Sequence, residues 1–308
     1  MNRRLGFIVL VVSILAFTPP PGHAAEKLRV VATFSVIGDI AANVGGDRIE
    51  LATIIGPDGD SELHQSTAAD AAMVGRANVL LINGINDAFE PWLDNLLRQA
   101  KFAGTRVIVS RGVHALSAED EHPAARNKQI AAILDQHAWL DPRNAILYTR
   151  NIAEALARAD PAGADSFRAR ASAYTRELQV LDGWARAQMA AVPAAKRRAL
   201  SSHDSMQYFA AAFGITLISV NGWTNMNEPS AGELARLTAQ IKQERVRALF
   251  LDSITDPRAM ERIGRETGAV IGGTLYGDAL SKPDGEAGTY LKMIRHDVEV
   301  MKAGMLLN

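Results

Sequence analysis

Short apolar segments alternate with longer amphipathic segments along most of this 308-residue chain. Val, Ile and Leu dominate the short segments, and eight of them are predicted strands: 28–37, 49–55, 79–82, 107–109, 198–201, 215–220, 248–251 and 269–275. Strands that are apolar throughout are typical of parallel sheets covered by helices on both faces. The pattern therefore predicts an α/β fold of two lobes, each with a roughly four-stranded, mainly parallel sheet flanked by helices.

One helical segment stands apart because of its length. Apolar residues recur there at steps of three and four, at Phe167, Ala171, Tyr174, Leu178, Leu181 and Trp184. This spacing predicts a long, rigid connecting helix over 164–192. It separates an N-terminal lobe, 25–163, from a C-terminal lobe, 193–308.

The first 24 residues have the pattern of a secretory signal peptide. Arg3 and Arg4 precede an apolar run from 5 to 17, and prolines and small residues follow, which favours cleavage between Ala24 and Ala25. An uncleaved membrane anchor is the alternative. The sequence contains no cysteine, which excludes disulfides, thiolate metal ligands and a lipidated cysteine. We therefore expect a non-lipidated protein in the periplasm.

The balance of charges along the chain bears on which kinds of partner the protein can bind. The 33 Lys and Arg residues nearly balance the 34 Asp and Glu residues, so no overall field favours nucleic acid. We expect a monomer that binds no nucleic acid.

Four polar residues are the candidates for chemistry: His64, His137, His203 and Asp278. Each follows the C-terminal end of a predicted strand, where open α/β sheets bind ligands, and each half of the chain contributes two. Imidazole and carboxylate groups suit a divalent ion such as zinc. Any one of them alone is better explained as a surface or capping residue. Their joint placement predicts one metal site between the lobes.

Several motifs occur in order along the chain, among them 31–40, 83–86, 137–144, 202–209, 228–231 and 275–280. In these motifs the chain resembles the periplasmic substrate-binding proteins of zinc and manganese ABC importers, cluster A-I. The resemblance implies two α/β lobes, a rigid connecting helix, a metal in the cleft with the four candidates as its ligands, and a membrane ABC importer permease as partner. It implies a binding protein and not an enzyme.

The resemblance has local departures. The family usually has proline before its first two ligand histidines, whereas this chain has Leu63 and Gln136, and the aromatic-Glu-Pro after the first histidine is replaced by 65–67. Glu62 is therefore an alternative oxygen ligand near His64. Three imidazoles and one carboxylate favour Zn²⁺ as the transported ion over Mn²⁺, which prefers more oxygen.

The segment 113–136 is short and polar where many zinc-binding relatives carry a histidine-rich insertion. It is either a solvated loop or a loop that gathers metal. The short loop and the His₃Asp set are similar to the AztC-type zinc-binding subgroup, which implies a periplasmic zinc metallochaperone as a second partner. A periplasmic zinc-dependent hydrolase, a manganese-binding member of the family and an organic-ligand binder remain the alternatives.

Overall fold

The computed structural model describes residues 26–87, 89–117, 134–218 and 230–308, except the side chain of Glu233. The predicted signal peptide and most of the segment 113–136 lie outside these residues. Within the described part, no helix combines the length and apolar character needed to cross a membrane.

The N-terminal half forms a parallel sheet. Its elements are β1 (Leu28–Phe34), α1 (Ser35–Gly45), β2 (Ile49–Ile55), α2 (Ala68–Gly75), β3 (Val79–Ile82), α3 (Leu93–Ala100), β4 (Thr105–Ile108) and α4 (Pro142–Ala159). The strand order is β2-β1-β3-β4, and every pairing is parallel. β3 is buried along its whole length, as the apolar run predicts for a central strand.

A single long helix, α5 (Ala164–Ala190), follows. Its 27 residues correspond to about 40 Å at 1.5 Å per residue. Phe167, Tyr174, Leu178 and Leu181 are buried along one stripe, so the amphipathic spacing in the sequence corresponds to the packed face.

The C-terminal half repeats the architecture. It contains β5 (Arg198–Ser201), α6 (Gln207–Phe213), β6 (Thr216–Leu217), α7 (Ala231–Glu244), β7 (Ala248–Asp252), α8 (Arg258–Thr267), β8 (Val270–Leu275) and α9 (Tyr290–Met305). The strand order is β6-β5-β7-β8, again parallel. The predicted fold class is confirmed, while the exact lobe boundaries stay predictions.

The two halves share one apolar core. A continuous cluster of buried side chains extends from Val31 and Leu80 through Leu178 on α5 to Phe250 and Met293. A smaller second cluster, which includes Leu200, Leu249 and Met260, lies within the C-terminal half. The halves are therefore joined by hydrophobic packing as well as by the chain.

Hydrogen bonds also join the halves, close to the ends of the strands. The Trp139 indole donates to Gly277 O at 2.8 Å, and the Tyr290 hydroxyl donates to Trp139 O at 2.6 Å. Tyr290 N donates to Asp39 Oδ2 at 3.0 Å, which ties the start of α9 to α1. These contacts fix the position of one half of the chain relative to the other.

Candidate metal centre

Three of the four predicted ligands meet between the halves. His203 follows β5 by two residues, Asp278 follows β8 by three, and His137 precedes a short 3₁₀ turn, Ala138–Leu140. His137 Nε2 lies 3.2 Å from Asp278 Oδ1, and His203 Nδ1 lies 3.2 Å from Asp278 Oδ2. The two imidazole rings are perpendicular, with centroids 5.4 Å apart. All three residues are buried.

The donor atoms approach one another but are not aligned as hydrogen bonds. Within the described part of the chain, His137 Nε2, His203 Nδ1 and both Asp278 carboxylate oxygens are buried without a hydrogen-bond partner. Buried polar atoms without partners are costly, so several in one place need a physical explanation. Two nitrogens and a carboxylate that converge in this way fit a divalent metal ion, which would satisfy all of them at once.

The charges of the three groups are strongly linked. Burial raises the pKa of Asp278, but the facing His203 and His137 imidazoles outweigh it and hold the pKa below its usual range. Burial lowers the pKa of His137, yet Asp278 and Asp135 together raise it to about 10. At His203, burial also lowers the pKa, but Asp278 and Asp252 raise it well above its ordinary value. Without metal, protons on the imidazoles balance the carboxylates, and an arriving metal must displace them.

A carboxylate that the sequence analysis did not single out orients His137. Asp135 Oδ1 lies 2.7 Å from His137 Nδ1 and accepts from His137 N at 2.8 Å. Because a carboxylate can only accept, the Nδ1 hydrogen points to Asp135, and Nε2 is the nitrogen that could bind metal once its proton is displaced. An Asp two residues before a candidate ligand, able to bond to that residue's backbone, is the signal that could have identified it.

A buried polar network fixes this segment in turn. Asn83, at the end of β3, donates through Nδ2 to Gln136 O at 2.8 Å and accepts from the Tyr148 hydroxyl at 2.6 Å. Ser110 Oγ donates to Asn83 O at 2.7 Å. The backbone next to His137 is therefore held by residues of the N-terminal sheet and of α4.

In the C-terminal half, Asp252 lies next to the candidate ligand His203. Its Oδ2 is 3.8 Å from His203 Nδ1 and accepts from Ser205 Oγ at 3.3 Å. A Cβ at Gly277 would lie 2.5 Å from that same Oδ2, so glycine permits the close approach of the Asp278 loop. Two further carboxylates close in sequence to the candidate ligands have other contacts: Asp141 caps α4 by accepting from Arg143 N, and Asp204 accepts from Gln207 Nε2.

The loop after β2 contributes Glu62 to the group. A carboxylate oxygen of Glu62 and one nitrogen each of His137 and His203 all lie within 4.8 Å of one another, and all three residues are buried. Glu62 Oε1 accepts from Gln136 Nε2 at 2.6 Å. The alternative ligand in the sequence thus lies in the group itself.

His64 has different partners in this structure. Its Nε2 lies 3.2 Å from Asp70 Oδ2, and its ring packs edge-on against Trp92 with centroids 4.9 Å apart. It is outside the group of Glu62, His137 and His203. Its role as a ligand stays a prediction.

Two parallel α/β lobes around a buried set of imidazoles and carboxylates define a two-lobed metal-binding protein. The sequence profile of the ZnuA family, described as zinc-uptake complex component A, periplasmic, matches residues 30–304. The chain belongs to this family of substrate-binding proteins of metal ABC importers. The family prediction is therefore confirmed, as is the prediction that the chain is not an enzyme.

Relatives that differ in their metals are similar over almost the whole chain. The manganese-binding lipoprotein MntA of Halalkalibacterium halodurans is 27% identical over 304 residues, 97% of each chain. The iron-binding protein YfeA of Yersinia pestis is 28% identical over 284 residues, 92% of this chain and 88% of that one. The structure of the periplasmic zinc-binding protein TroA from Treponema pallidum superposes with a TM-score of 0.81 at 27% identity, over 91% of this chain and 99% of that one.

These comparisons place the protein outside the cytoplasm and leave finer predictions open. Several relatives are named lipoproteins, so the absence of lipid on this chain stays a prediction. The AztC-type subgroup, the metallochaperone and the monomeric state also stay predictions. The hydrolase alternative gains no support from the family.

Proposed function

We propose that this protein captures Zn²⁺ between its two lobes and delivers it to the membrane permease of an ABC importer. His137, His203 and Asp278 are the three ligands on which the proposal depends. The observation that carries the proposal is the set of buried donor atoms on these three residues, which converge without hydrogen-bond partners among the residues that the structure describes. Imidazole-rich sites suit zinc, and the general affinity order of divalent metals also favours zinc over manganese and iron.

Metal binding is tested first on the purified protein. We expect one zinc per chain and a titration that saturates at that ratio, while His203→Ala and Asp278→Asn lose tight binding. His296→Gln is the matched control, because His296 lies outside the group and contacts Thr274 O. A wild-type protein that binds no divalent metal would refute the proposal.

Transport is tested in the organism that encodes the protein. Cells without it should accumulate less radioactive zinc in zinc-poor medium, and the wild-type protein, but not His203→Ala, should restore uptake. Unchanged zinc uptake in the deletion strain would argue against delivery to an importer.

Manganese or iron is the second candidate cargo. It is favoured by Glu62, which adds a second carboxylate to the group and makes it richer in oxygen. Titrations with Zn²⁺, Mn²⁺ and Fe²⁺ against the same competing chelator decide between the candidates.

A further inference from the structure

Trp139 forms two hydrogen bonds that cross between the halves, and both lie beside the candidate metal ligands. Its indole Nε1 donates to Gly277 O at 2.8 Å, and its carbonyl accepts from the Tyr290 hydroxyl at 2.6 Å. Trp139 is two residues after His137, and Gly277 directly precedes Asp278. The indole bond therefore connects the segment that carries one candidate ligand to the segment that carries another.

The donor side of this bond is fixed in the N-terminal half. Trp139 is fully buried, and its ring lies against Phe34 and Phe89, with ring centroids 4.8 Å and 4.9 Å away. It also meets the His137 imidazole edge-on, at 5.4 Å between centroids. A large ring packed on several sides in a dense core has little freedom to turn, so the indole N–H keeps its direction.

The acceptor side is fixed in the C-terminal half. The Tyr276 amide donates to Asp297 Oδ1 on α9 at 2.9 Å. A Cβ at Gly277 would collide with the Ser205 hydroxyl, so the backbone there packs directly against the loop after β5. The Gly277 carbonyl therefore has little room to follow Trp139 if the N-terminal half moves away.

Because each end is fixed in a different half, separation of the two ligand-bearing segments would break the indole bond. In the separated arrangement water can take the place of the indole at Gly277 O, whereas in the closed arrangement the indole is buried and makes this bond itself. The bond thus stabilises the closed arrangement more than the separated one. Only an interaction that differs between two arrangements can shift the balance between them.

We propose that Trp139 is a positioning residue that slows metal release by holding the segments of His137 and Asp278 together. This inference rests on the proposed function, since it concerns the same cargo. The indole N–H is a donor only, so Trp139 acts through position and not as a metal ligand. The bond opposes separation of the segments and takes no part in the first encounter with the ion. It should therefore change the rate of release and leave the rate of association nearly unchanged.

Two variants each remove one of the hydrogen bonds and keep an aromatic ring in place. Trp139→Phe removes the indole donor, and Tyr290→Phe removes the hydroxyl that bonds to Trp139 O. A buried carbonyl that loses its donor is costly, so Trp139→Phe should release zinc about tenfold faster, which corresponds to about 1.4 kcal/mol. Tyr290→Phe should release it at least about threefold faster. Trp184→Phe is the matched control, because Trp184 lies on α5 and packs against Arg295 of α9.

Release is measured by mixing the zinc-loaded protein with excess chelator in a stopped-flow instrument, at chelator concentrations where the rate no longer depends on them. Association is measured separately on the metal-free protein, and urea unfolding of the metal-free protein gives its stability. Faster release with an association rate unchanged within about threefold would support the proposal. Trp184→Phe should release zinc at the rate of the wild type.

An unchanged release rate in Trp139→Phe, an equal rise in Trp184→Phe, or a loss of affinity through slower association alone would overturn the proposal. Lower stability of metal-free Trp139→Phe with unchanged release would also overturn it, because the role of Trp139 would then be structural only. If Trp139→Phe does not fold, the release rate of Tyr290→Phe decides by the same criteria. If the wild type binds zinc tightly and any of these contrary results is obtained, only the role of Trp139 fails. If the wild type binds no divalent metal, the proposed function itself fails.

Discussion

At the scale of single residues, the site depends on how each imidazole is oriented. Asp135 Oδ1 lies 2.7 Å from His137 Nδ1 and accepts its hydrogen, which directs Nε2 toward the group. Asp135→Asn keeps an oxygen acceptor but removes the negative charge, which makes the imidazole a weaker ligand. We expect zinc affinity to fall about 10–100-fold with the fold unchanged.

This prediction is measured by competition with a chelator, together with the far-ultraviolet circular dichroism of the variant. Asp94→Asn, on the exposed face of α3, serves as the control, since its carboxylate pairs with Arg106 away from the group. A zinc affinity equal to that of the wild type would mean that Asp135 does not orient the ligand.

Glu90 is another buried carboxylate, and its burial leads us to expect a pH dependence of the free energy of unfolding. It is 5% exposed and accepts from Asn83 N at 3.3 Å, and burial raises its pKa from 4.5 to about 7. The folded state therefore holds a proton that the unfolded state has lost between pH 4.5 and about 7. Glu90 favours folding fully below pH 4.5, and this contribution is lost as the pH rises through about 7.

Glu90→Gln should therefore gain stability relative to the wild type as the pH rises through that window. The rise of the Glu90 pKa from 4.5 to about 7 sets an upper limit of about 3 kcal/mol on the gain. Urea unfolding at pH 5 and pH 8, with a chelator present, measures it, and Glu50→Gln is the exposed control. If the difference between variant and wild type is the same at both pH values, Glu90 is not the group responsible.

The residue scale also shows which parts of the site the sequence can reveal. His203 and Asp278 follow directly after strands, and the ends of parallel strands meet at one edge of a sheet. Glu62 depends on a hydrogen bond from Gln136, 74 positions away along the chain. A contact between distant side chains leaves no periodic signal, so the sequence could offer Glu62 only as an alternative.

At the scale of elements, the apolar runs located most strands well. Ile49–Ile55, Val79–Ile82 and Arg198–Ser201 form strands with the predicted bounds. The predicted first strand, 28–37, is three residues too long because α1 begins at Ser35. Val36 and Ile37 are fully buried, and a short apolar run cannot distinguish a strand from a buried helix.

Helix α6, in the C-terminal half, forms hydrogen bonds to the segment that contains His137. The Tyr208 hydroxyl donates to Asp135 O at 3.1 Å and accepts from Leu116 N at 3.0 Å. Between these two points the chain also forms a bridge from Ser117 to Leu134. One side chain of the C-terminal half thus bonds to both ends of the segment that leads to the metal site.

Tyr208→Phe should loosen this segment, because it leaves the Leu116 amide and the Asp135 carbonyl without this partner. We expect the free energy of local opening of this segment to fall by about 1–3 kcal/mol. Amide hydrogen exchange measures it: protection should fall at Leu116 and near Asp135, while the amides of α5 serve as an internal control. Unchanged exchange at Leu116 would mean that the hydroxyl does not fasten the segment.

At the scale of the whole molecule, the shared core determines how the lobes unfold. Buried side chains form one continuous cluster from β1 across α5 to α9, and the Trp139, Tyr290 and Asp39 contacts add polar links between the halves. Continuous packing couples the halves energetically, so we expect a single cooperative unfolding transition for the metal-free protein. Two separate transitions would show that the halves unfold independently.

Metal should stabilise this cooperative unit as a whole, because the proposed ligands come from both halves. A ligand that binds only the folded state adds RT ln(1 + [L]/Kd), about 4 kcal/mol at a thousandfold excess over Kd. Since about 1 kcal/mol corresponds to about 2–4 °C for chains of 150–250 residues, zinc should raise the melting temperature by several degrees. A chelator should reverse the shift, and His203→Ala should show none. If zinc shifts His203→Ala as much as the wild type, the stabilising ion binds outside the site between the lobes.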